Sequence, residues 1–166
     1  MKKDIRILFT DLDGTLLNDQ KEITPETQKA IDQALAAGHK IVVTTGRPLA
    51  SGLTCAEKAG LVKEGCYVIA FNGGQIYDPF HKKTIYGKTI PKEIARDIFR
   101  EAVKRNLYIQ SYSDTHVLTL KEGPELTRYV GGTGQPYQVV KTVEEAVSQD
   151  PYKILAISLD DRPGEE

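Results

Sequence analysis

Short apolar runs alternate with amphipathic segments in the first half of the chain. Three such runs, Ile5–Thr10, Lys40–Thr45 and Tyr67–Ala70, are rich in residues that favour strands. Between the first two, Thr24 and Pro25 form a typical helix start, and a weaker helix follows the second run to about residue 59. Continuous apolar strands separated by helices are typical of parallel sheets buried on both faces. The pattern predicts an α/β fold with right-handed crossovers.

The pattern changes after residue 74. It predicts a hairpin of Gln75–Tyr77 with Thr84–Tyr86, then a helix over Pro91–Arg105 and two strands, Leu107–Ser111 and Thr115–Leu120. A glycine-rich turn at Gly131–Gly134, a short helix at Val143–Ser148 and a last strand at Tyr152–Leu159 follow. This second half is predicted to be a smaller α+β domain with an antiparallel sheet. We place the boundary between Asp78 and Ile90 and divide the chain into residues 1–80 and 81–166.

Composition narrows the class of protein. The 166 residues are 40% hydrophobic and 27% charged, with a formal net charge of -1, which gives no general attraction to nucleic acid or to an anionic membrane. No signal peptide and no apolar stretch of about 20 residues is apparent. Cys55 and Cys66 lack metal-ligand spacing. We expect a cytoplasmic protein without nucleic-acid or membrane partners.

Two polar motifs follow the first two predicted strands. Asp11 and Asp13 come directly after the first strand, and Thr45, Gly46 and Arg47 after the second. Ligands of parallel α/β sheets bind at this edge. One carboxylate there can serve as nucleophile or metal ligand and the other as acid and base. Because a carboxylate is repelled by an anionic phosphate, the pair predicts a divalent cation, with Mg²⁺ the natural choice.

An isolated Asp-x-Asp-Gly sequence also has ordinary interpretations. It is equally typical of a turn, since Asp and Gly are common turn residues. It also begins calcium loops, but those need further acidic positions that Leu16, Leu17 and Asn18 do not supply. The buried strand before the motif and the second motif at the neighbouring strand favour a functional site over both.

The two motifs together carry a family resemblance. FTDLDGTLL at Phe9–Leu17 and VVTTGRP at Val42–Pro48 resemble the haloacid dehalogenase (HAD) superfamily, and more narrowly its Cof-like sugar-phosphate phosphatase branch. Asn72-Gly-Gly is similar to the segment that precedes an inserted cap domain in that branch. The resemblance implies a parallel Rossmann-like core, here incomplete, with an α+β cap inserted after the third core strand.

The resemblance also implies roles for particular residues. Asp11 would attack phosphorus and form an aspartyl-phosphate, and Asp13 would protonate the leaving oxygen and later activate water. Mg²⁺ would bind the Asp11 carboxylate and the Asp13 backbone carbonyl. The phosphoryl group of a small phosphorylated metabolite would be bound by Thr45, Gly46, Arg47 and Asn72. For the last two, a surface or ion-paired arginine and an asparagine holding its own turn are the alternatives.

The chain departs from the family pattern after the cap. A later lysine and a Gly-Asp-x-x-Asn-Asp type stretch are missing; Asp160-Asp161 is a poor substitute, and Lys153 is more simply an edge lysine. We therefore expect impaired activity and an apolar edge strand at Ile5–Thr10. That edge would take a second copy, giving a homodimer, or a missing C-terminal core segment.

Two other functions compete with a phosphatase. A non-catalytic, truncated remnant that binds phosphate or a partner chain would explain the missing motifs. A receiver-type phosphoacceptor also carries a strand-end aspartate, but the Asp-x-Asp-Gly-Thr loop and the cap-sized second domain favour hydrolysis. His39, His81 and His116 are isolated in sequence and predict no metal site.

Overall fold

The computed structural model describes residues 4–159, and the chain divides into two compact units between Lys88 and Thr89. Asp160-Asp161 lies outside the described residues. The division lies within the predicted interval from Asp78 to Ile90, but later than residue 80, because the second strand of the predicted hairpin pairs with the first unit's sheet.

The first unit contains a five-stranded sheet and two helices. Its elements are β1 (Ile7–Thr10), α1 (Pro25–Ala36), β2 (Lys40–Thr44), α2 (Leu49–Lys58), β3 (Tyr67–Ala70), a 3-10 turn (Phe71–Gly73), β4 (Gln75–Asp78) and β5 (Lys83–Gly87). The strand order is β1-β2-β3-β4-β5. The first three strands are parallel, whereas β4 and β5 form an antiparallel hairpin beside β3. The predicted α/β class with parallel strands is confirmed.

The central strands of this sheet are buried and its first strand is not. Ile41, Val43 and Val68 of β2 and β3 are almost fully buried. By contrast, Leu8 and Phe9 of β1 are 58% and 59% exposed, and within residues 4–159 β1 has a neighbouring strand on one side only. The expectation of a strand buried on both faces is therefore wrong for this chain, and the expectation of an apolar edge strand is confirmed.

The second unit packs helices on a four-stranded sheet. Its elements are α3 (Lys92–Lys104), β6 (Tyr108–Tyr112), β7 (Val117–Thr119), α4 (Pro124–Thr133), β8 (Tyr137–Val139), α5 (Val143–Ala146) and β9 (Leu155–Ile157). The strand order is β8-β7-β6-β9. The sheet is mixed rather than purely antiparallel, because β7 and β8 are parallel.

The predicted glycine-rich turn at 131–134 is wrong. Helix α4 continues through Gly131 and Gly132, and only Gly134, with φ +67°, takes the left-handed conformation that ends a helix. Strand β8 was not predicted. Strand β8, the parallel partner of β7, follows α4, and α4 is the crossover that a parallel pair needs. A sequence pattern that predicts a turn in place of α4 therefore also fails to predict the parallel pair.

The two faces of β6 are buried in different ways. Ile109 belongs to an apolar cluster with Phe99 of α3 and Val147. The opposite face carries a chain of buried polar side chains. Tyr108 donates a hydrogen bond to Gln110 (2.9 Å), Gln110 donates to the Tyr112 hydroxyl (2.8 Å), and that hydroxyl donates to Tyr129 of α4 (3.0 Å). Helix α4 is therefore linked to β6 by a row of hydrogen-bonded side chains. We call this row the tyrosine–glutamine chain; its members are Tyr108, Gln110, Tyr112 and Tyr129.

Among residues 4–159, no helix combines the length and the apolar character that crossing a bilayer requires.

Candidate active site

The loop after β1 folds into a compact turn that is anchored by leucines. Leu12 and Leu17 are buried, and the Leu17 amide donates to the Leu12 carbonyl at 2.8 Å. The Leu16 amide donates to the Asp11 carbonyl at 3.2 Å, and Gly14 bends the chain with φ +72°. Because the leucines fix the backbone, the carboxylates of Asp11 and Asp13, on either side of Leu12, stay at the surface.

Four of the predicted site residues share one cleft at the carboxyl ends of the strands. Its volume is about 340 Å³, and it is lined by Asp11, Thr44, Thr45, Gly46, Ile69, Asn72 and Gly73. Asp11 thus lines the same space as the threonine and glycine that follow β2. The convergence of strand ends at one sheet edge brings these residues together across a wide sequence separation.

Thr45 is held in this cleft by three hydrogen bonds. Its amide donates to the Ile69 carbonyl (2.8 Å), its carbonyl accepts from the Asn72 amide (3.2 Å), and its hydroxyl oxygen accepts from the Arg47 amide (3.1 Å). A hydroxyl carries one proton and accepts without using it. The Thr45 hydroxyl can therefore donate to an anionic oxygen in the cleft while its own position is fixed.

Asn72 lies in a turn with an unusual backbone. Phe71 and Asn72 have φ values of +52° and +56°, a region that non-glycine residues seldom adopt. The Phe71 amide donates to the Arg47 carbonyl at 3.0 Å, which ties this turn to the loop after β2. Asn72 therefore adopts an unfavourable backbone conformation and also lines the cleft, and its predicted contact with phosphate stays a prediction.

Asp13 and Arg47 form a bidentate ion pair. Arg47 Nε donates to Asp13 Oδ2 at 2.9 Å and Nη2 donates to Oδ1 at 2.6 Å, while Nη1 donates to Ser51 of α2 at 3.2 Å. Only 10% of the Arg47 side chain is exposed, so Arg47 is a buried, ion-paired arginine, and its predicted contact with phosphate stays a prediction. Such bidentate pairs fix geometry as well as charge.

Lys21 is a member of the site that the sequence analysis missed. Its Nζ donates to Asp13 Oδ1 at 2.8 Å, so this oxygen accepts from two cationic groups. The hydrogen bonds from Arg47, and secondarily those from Lys21, outweigh the effect of burial and lower the pKa of Asp13 to about 2. The only sequence signal was a lysine a short distance after the aspartates, which is common in loops.

The three histidines His39, His81 and His116 are not among the lining residues of the cleft. His39 accepts a hydrogen bond from the Arg6 amide, His81 pairs with Asp78 in the β4–β5 turn at 2.8 Å, and His116 pairs with its neighbour Thr115. Across residues 4–159 no three His, Cys, Asp or Glu side chains are grouped as for a metal ion.

Asp11 lines the cleft, and the metal ligands that the resemblance implies are the Asp11 carboxylate and the backbone carbonyl of Asp13. Mg²⁺ commonly binds through one or two protein oxygens, with waters and substrate phosphate completing its shell. The donor set therefore fits magnesium and does not fit a metal that prefers nitrogen or sulfur ligands.

The fold and the two motifs define a class of hydrolases. A parallel sheet with Asp-Leu-Asp-Gly after its first strand and Thr-Gly-Arg after its second agrees with the resemblance seen in the sequence. The family model for haloacid dehalogenase-like hydrolases matches residues 8–165, so the chain belongs to this family.

Individual relatives are longer than this chain. Phosphatase YwpJ of Bacillus subtilis is 32% identical over 122 residues, which is 74% of this chain and 41% of the relative. The phosphatase YwtE of the same organism, which acts on 5-amino-6-(5-phospho-D-ribitylamino)uracil, is 33% identical over 72% of this chain and 40% of its own length. A haloacid dehalogenase-like hydrolase from Bacteroides thetaiotaomicron shares the fold, with a TM-score of 0.86 at 21% identity, over 93% of this chain and 58% of its own.

Proposed function

We propose that this chain is the phosphate-binding part of a phosphatase that hydrolyses small phosphomonoesters through an aspartyl-phosphate on Asp11. The observation that carries the proposal is the shared cleft, which Asp11 lines together with Thr45 and Gly46. A nucleophile opposite hydrogen-bond donors is the arrangement that phosphoryl transfer requires.

In the first step an Asp11 carboxylate oxygen forms a bond to phosphorus and the bond to the ester oxygen breaks. The leaving oxygen takes a proton from Asp13. In the second step water attacks the phosphorus, Asp13 accepts the water proton, and inorganic phosphate leaves Asp11. Thr45 donates to a phosphoryl oxygen in both steps. Mg²⁺ held by the Asp11 carboxylate and the Asp13 carbonyl would neutralise part of the phosphate charge.

The charge state of Asp13 sets a condition on this sequence of steps. With a pKa of about 2, the carboxylate is ionised at neutral pH and is ready to act as a base, but it holds no proton for a leaving group. A nearby negative charge raises the pKa of a carboxyl group. Entry of a phosphate dianion into the cleft would therefore shift Asp13 towards its acidic form at the stage when a proton is needed.

The proposed substrates are small phosphorylated metabolites such as sugar phosphates. Support comes from the relative YwtE, whose substrate is the phosphate ester of a ribityl chain. The cleft in the first unit offers groups for a phosphoryl moiety, and it contains no cationic side chain or aromatic ring among its lining residues that would select a nucleotide base. The phosphoryl end is therefore the part of the substrate that the first unit recognises.

The test is hydrolysis of a generic phosphomonoester by the 166-residue chain, with and without Mg²⁺, beside Asp11→Asn. We expect magnesium-dependent turnover that the substitution abolishes. Thermal unfolding gives a readout without turnover: Mg²⁺ with phosphate should raise the Tm of the parent chain but not that of Asp11→Asn. The exposed Asp19→Asn serves as the matched control.

The competing function is a non-catalytic remnant that binds phosphate or a partner chain. It is favoured by the exposed β1 edge. A Tm rise that depends on Asp11, without turnover, would establish this alternative. Turnover that survives Asp11→Asn would contradict the proposed nucleophile.

A further inference from the structure

Lys21 is placed at the site by a turn that is specific in its construction. The Asn18 amide donates to the Glu22 carbonyl (2.9 Å), the Lys21 amide donates to the Asn18 carbonyl (2.9 Å), and the Asn18 side chain accepts from the Glu22 amide (2.9 Å). Within this closed turn Lys21 has φ +62°, a left-handed conformation in which a lysine is disfavoured. A glycine would adopt this backbone conformation at lower cost, so the turn itself does not call for a lysine.

The ammonium group of Lys21 and the guanidinium of Arg47 contact the same carboxylate from different parts of the chain. Arg47 comes from the loop before α2 and is nearly buried, whereas Lys21 comes from the loop after β1 and is half exposed. Lys21 donates to Asp13 Oδ1 at 2.8 Å and Arg47 donates to the same oxygen at 2.6 Å. Asp13 Oδ2 accepts from Arg47. Two donors on one oxygen restrict rotation of the carboxylate about its terminal bond more than one bidentate partner does.

We propose that Lys21 is a positioning residue, which together with Arg47 holds the Asp13 carboxylate in the orientation that proton transfer at the cleft requires. This inference rests on the proposed function, because Asp13 has to be oriented only if it exchanges protons with the reacting groups. It adds to that function a residue that the motifs do not contain. Lys21 contacts Asp13 and acts through it.

The geometry separates this role from two simpler ones. An exposed ion pair contributes little to the free energy of unfolding. If Lys21 only stabilised the fold, its loss would therefore change neither stability nor activity by much. A role in the turn alone would be fulfilled by glycine, which adopts φ +62° without cost. Orientation of Asp13 instead needs a cation of sufficient length at this position.

The first readout does not depend on turnover. The Arg47 Nε–H group, which donates to Asp13 Oδ2, should give a protected proton–nitrogen NMR signal, identified by its loss in Arg47→Lys. In Lys21→Met we expect this signal to shift or broaden while backbone amides outside residues 11–22 stay unchanged. Lys82→Met is the control, since Lys82 also has a positive φ of +53° but lies in the β4–β5 turn.

The second readout is kinetic. In Lys21→Met we expect kcat to fall roughly tenfold while KM changes by less than about twofold, because misorientation of a catalytic group affects the reaction step more than binding. Lys21→Arg should restore most of the rate. Lys21→Gly should lower the rate like Lys21→Met although its backbone is relaxed.

Two results would overturn the inference. One is an Arg47 Nε–H signal that Lys21→Met leaves unchanged, and the other is a Lys21→Gly chain as active as the parent. Failure of the proposed function has a different signature, because turnover would then be absent or insensitive to Asp11→Asn while the NMR comparison still reports on Asp13.

Discussion

Replacing Asp13 by Asn should remove a pH-dependent part of the free energy of unfolding. The pKa of Asp13 is lowered to about 2 in the folded chain, chiefly by hydrogen bonds from Arg47, whereas its ordinary value is 3.8. Because the folded-state pKa is the lower one, the ion pair stabilises the chain fully above pH 4, and this contribution is lost as the pH falls from about 4 towards 2.

The structure sets the size of the effect. At about 1.36 kcal/mol per pKa unit, the gap between about 2 and 3.8 corresponds to an upper limit of about 2.4 kcal/mol. Since 43% of the Asp13 side chain is exposed, solvent screening reduces this value, and we expect about 1 kcal/mol.

The assay is urea unfolding of the parent chain and of Asp13→Asn at pH 6, 4 and 3. Urea leaves the ionic strength low, whereas guanidinium chloride would screen the pair. The difference between the two chains cancels the titration of all other carboxyl groups. It should be largest at pH 6 and shrink towards pH 3, and Asp19→Asn should show no such trend. A difference that stays constant with pH would refute the ion pair as the source of the stability.

Further predictions concern packing and the sheet edge. A Cβ atom at Gly52 would lie 2.9 Å from Val68 Cγ1, so Gly52→Ala should lower the free energy of unfolding by about 1–3 kcal/mol in urea titrations. At Gly131, in helix α4, a Cβ would meet nothing within 4 Å, so Gly131→Ala should raise the free energy of unfolding by roughly 0.5–1 kcal/mol. A stabilising Gly52→Ala or a destabilising Gly131→Ala would contradict this reasoning. We propose that the exposed edge of β1 pairs with a second copy or another core segment, so Leu8→Lys should reduce self-association in sedimentation velocity more than Ile85→Lys on the other edge strand. Equal association of both variants and the parent would argue against β1 as the contact.

The elements of the first unit were predictable because their signals are local. The buried runs of β2 and β3 and the Thr24 cap of α1 each lie within a few residues of the structure that they specify, and the Thr24 hydroxyl does accept from the Thr27 amide. Helix α4 lacked such a signal. It buries only Leu126 and contains two glycines, so its pattern predicts a turn, and tertiary contacts at Tyr129 determine the outcome.

The candidate site also contains residues that were predictable from sequence and contacts that were not. Asp11, Thr45 and Gly46 were predictable because strand ends of a parallel sheet converge on one edge. The contacts of Asp13 were not predictable, since they depend on how two loops fold. No periodic pattern connects Lys21 or Arg47 to a particular carboxylate, and their contacts with Asp13 depend on the tertiary fold.

The tyrosine–glutamine chain under α4 restricts how this protein can diverge. Each member satisfies the next, so replacing Gln110 alone by an apolar residue would leave the hydroxyls of Tyr108 and Tyr112 without these partners in a buried setting. Replacing all members together by apolar residues avoids that cost. Homologues should therefore keep the whole set or have exchanged it as a block, and residues 108, 110, 112 and 129 should co-vary as one evolutionary unit.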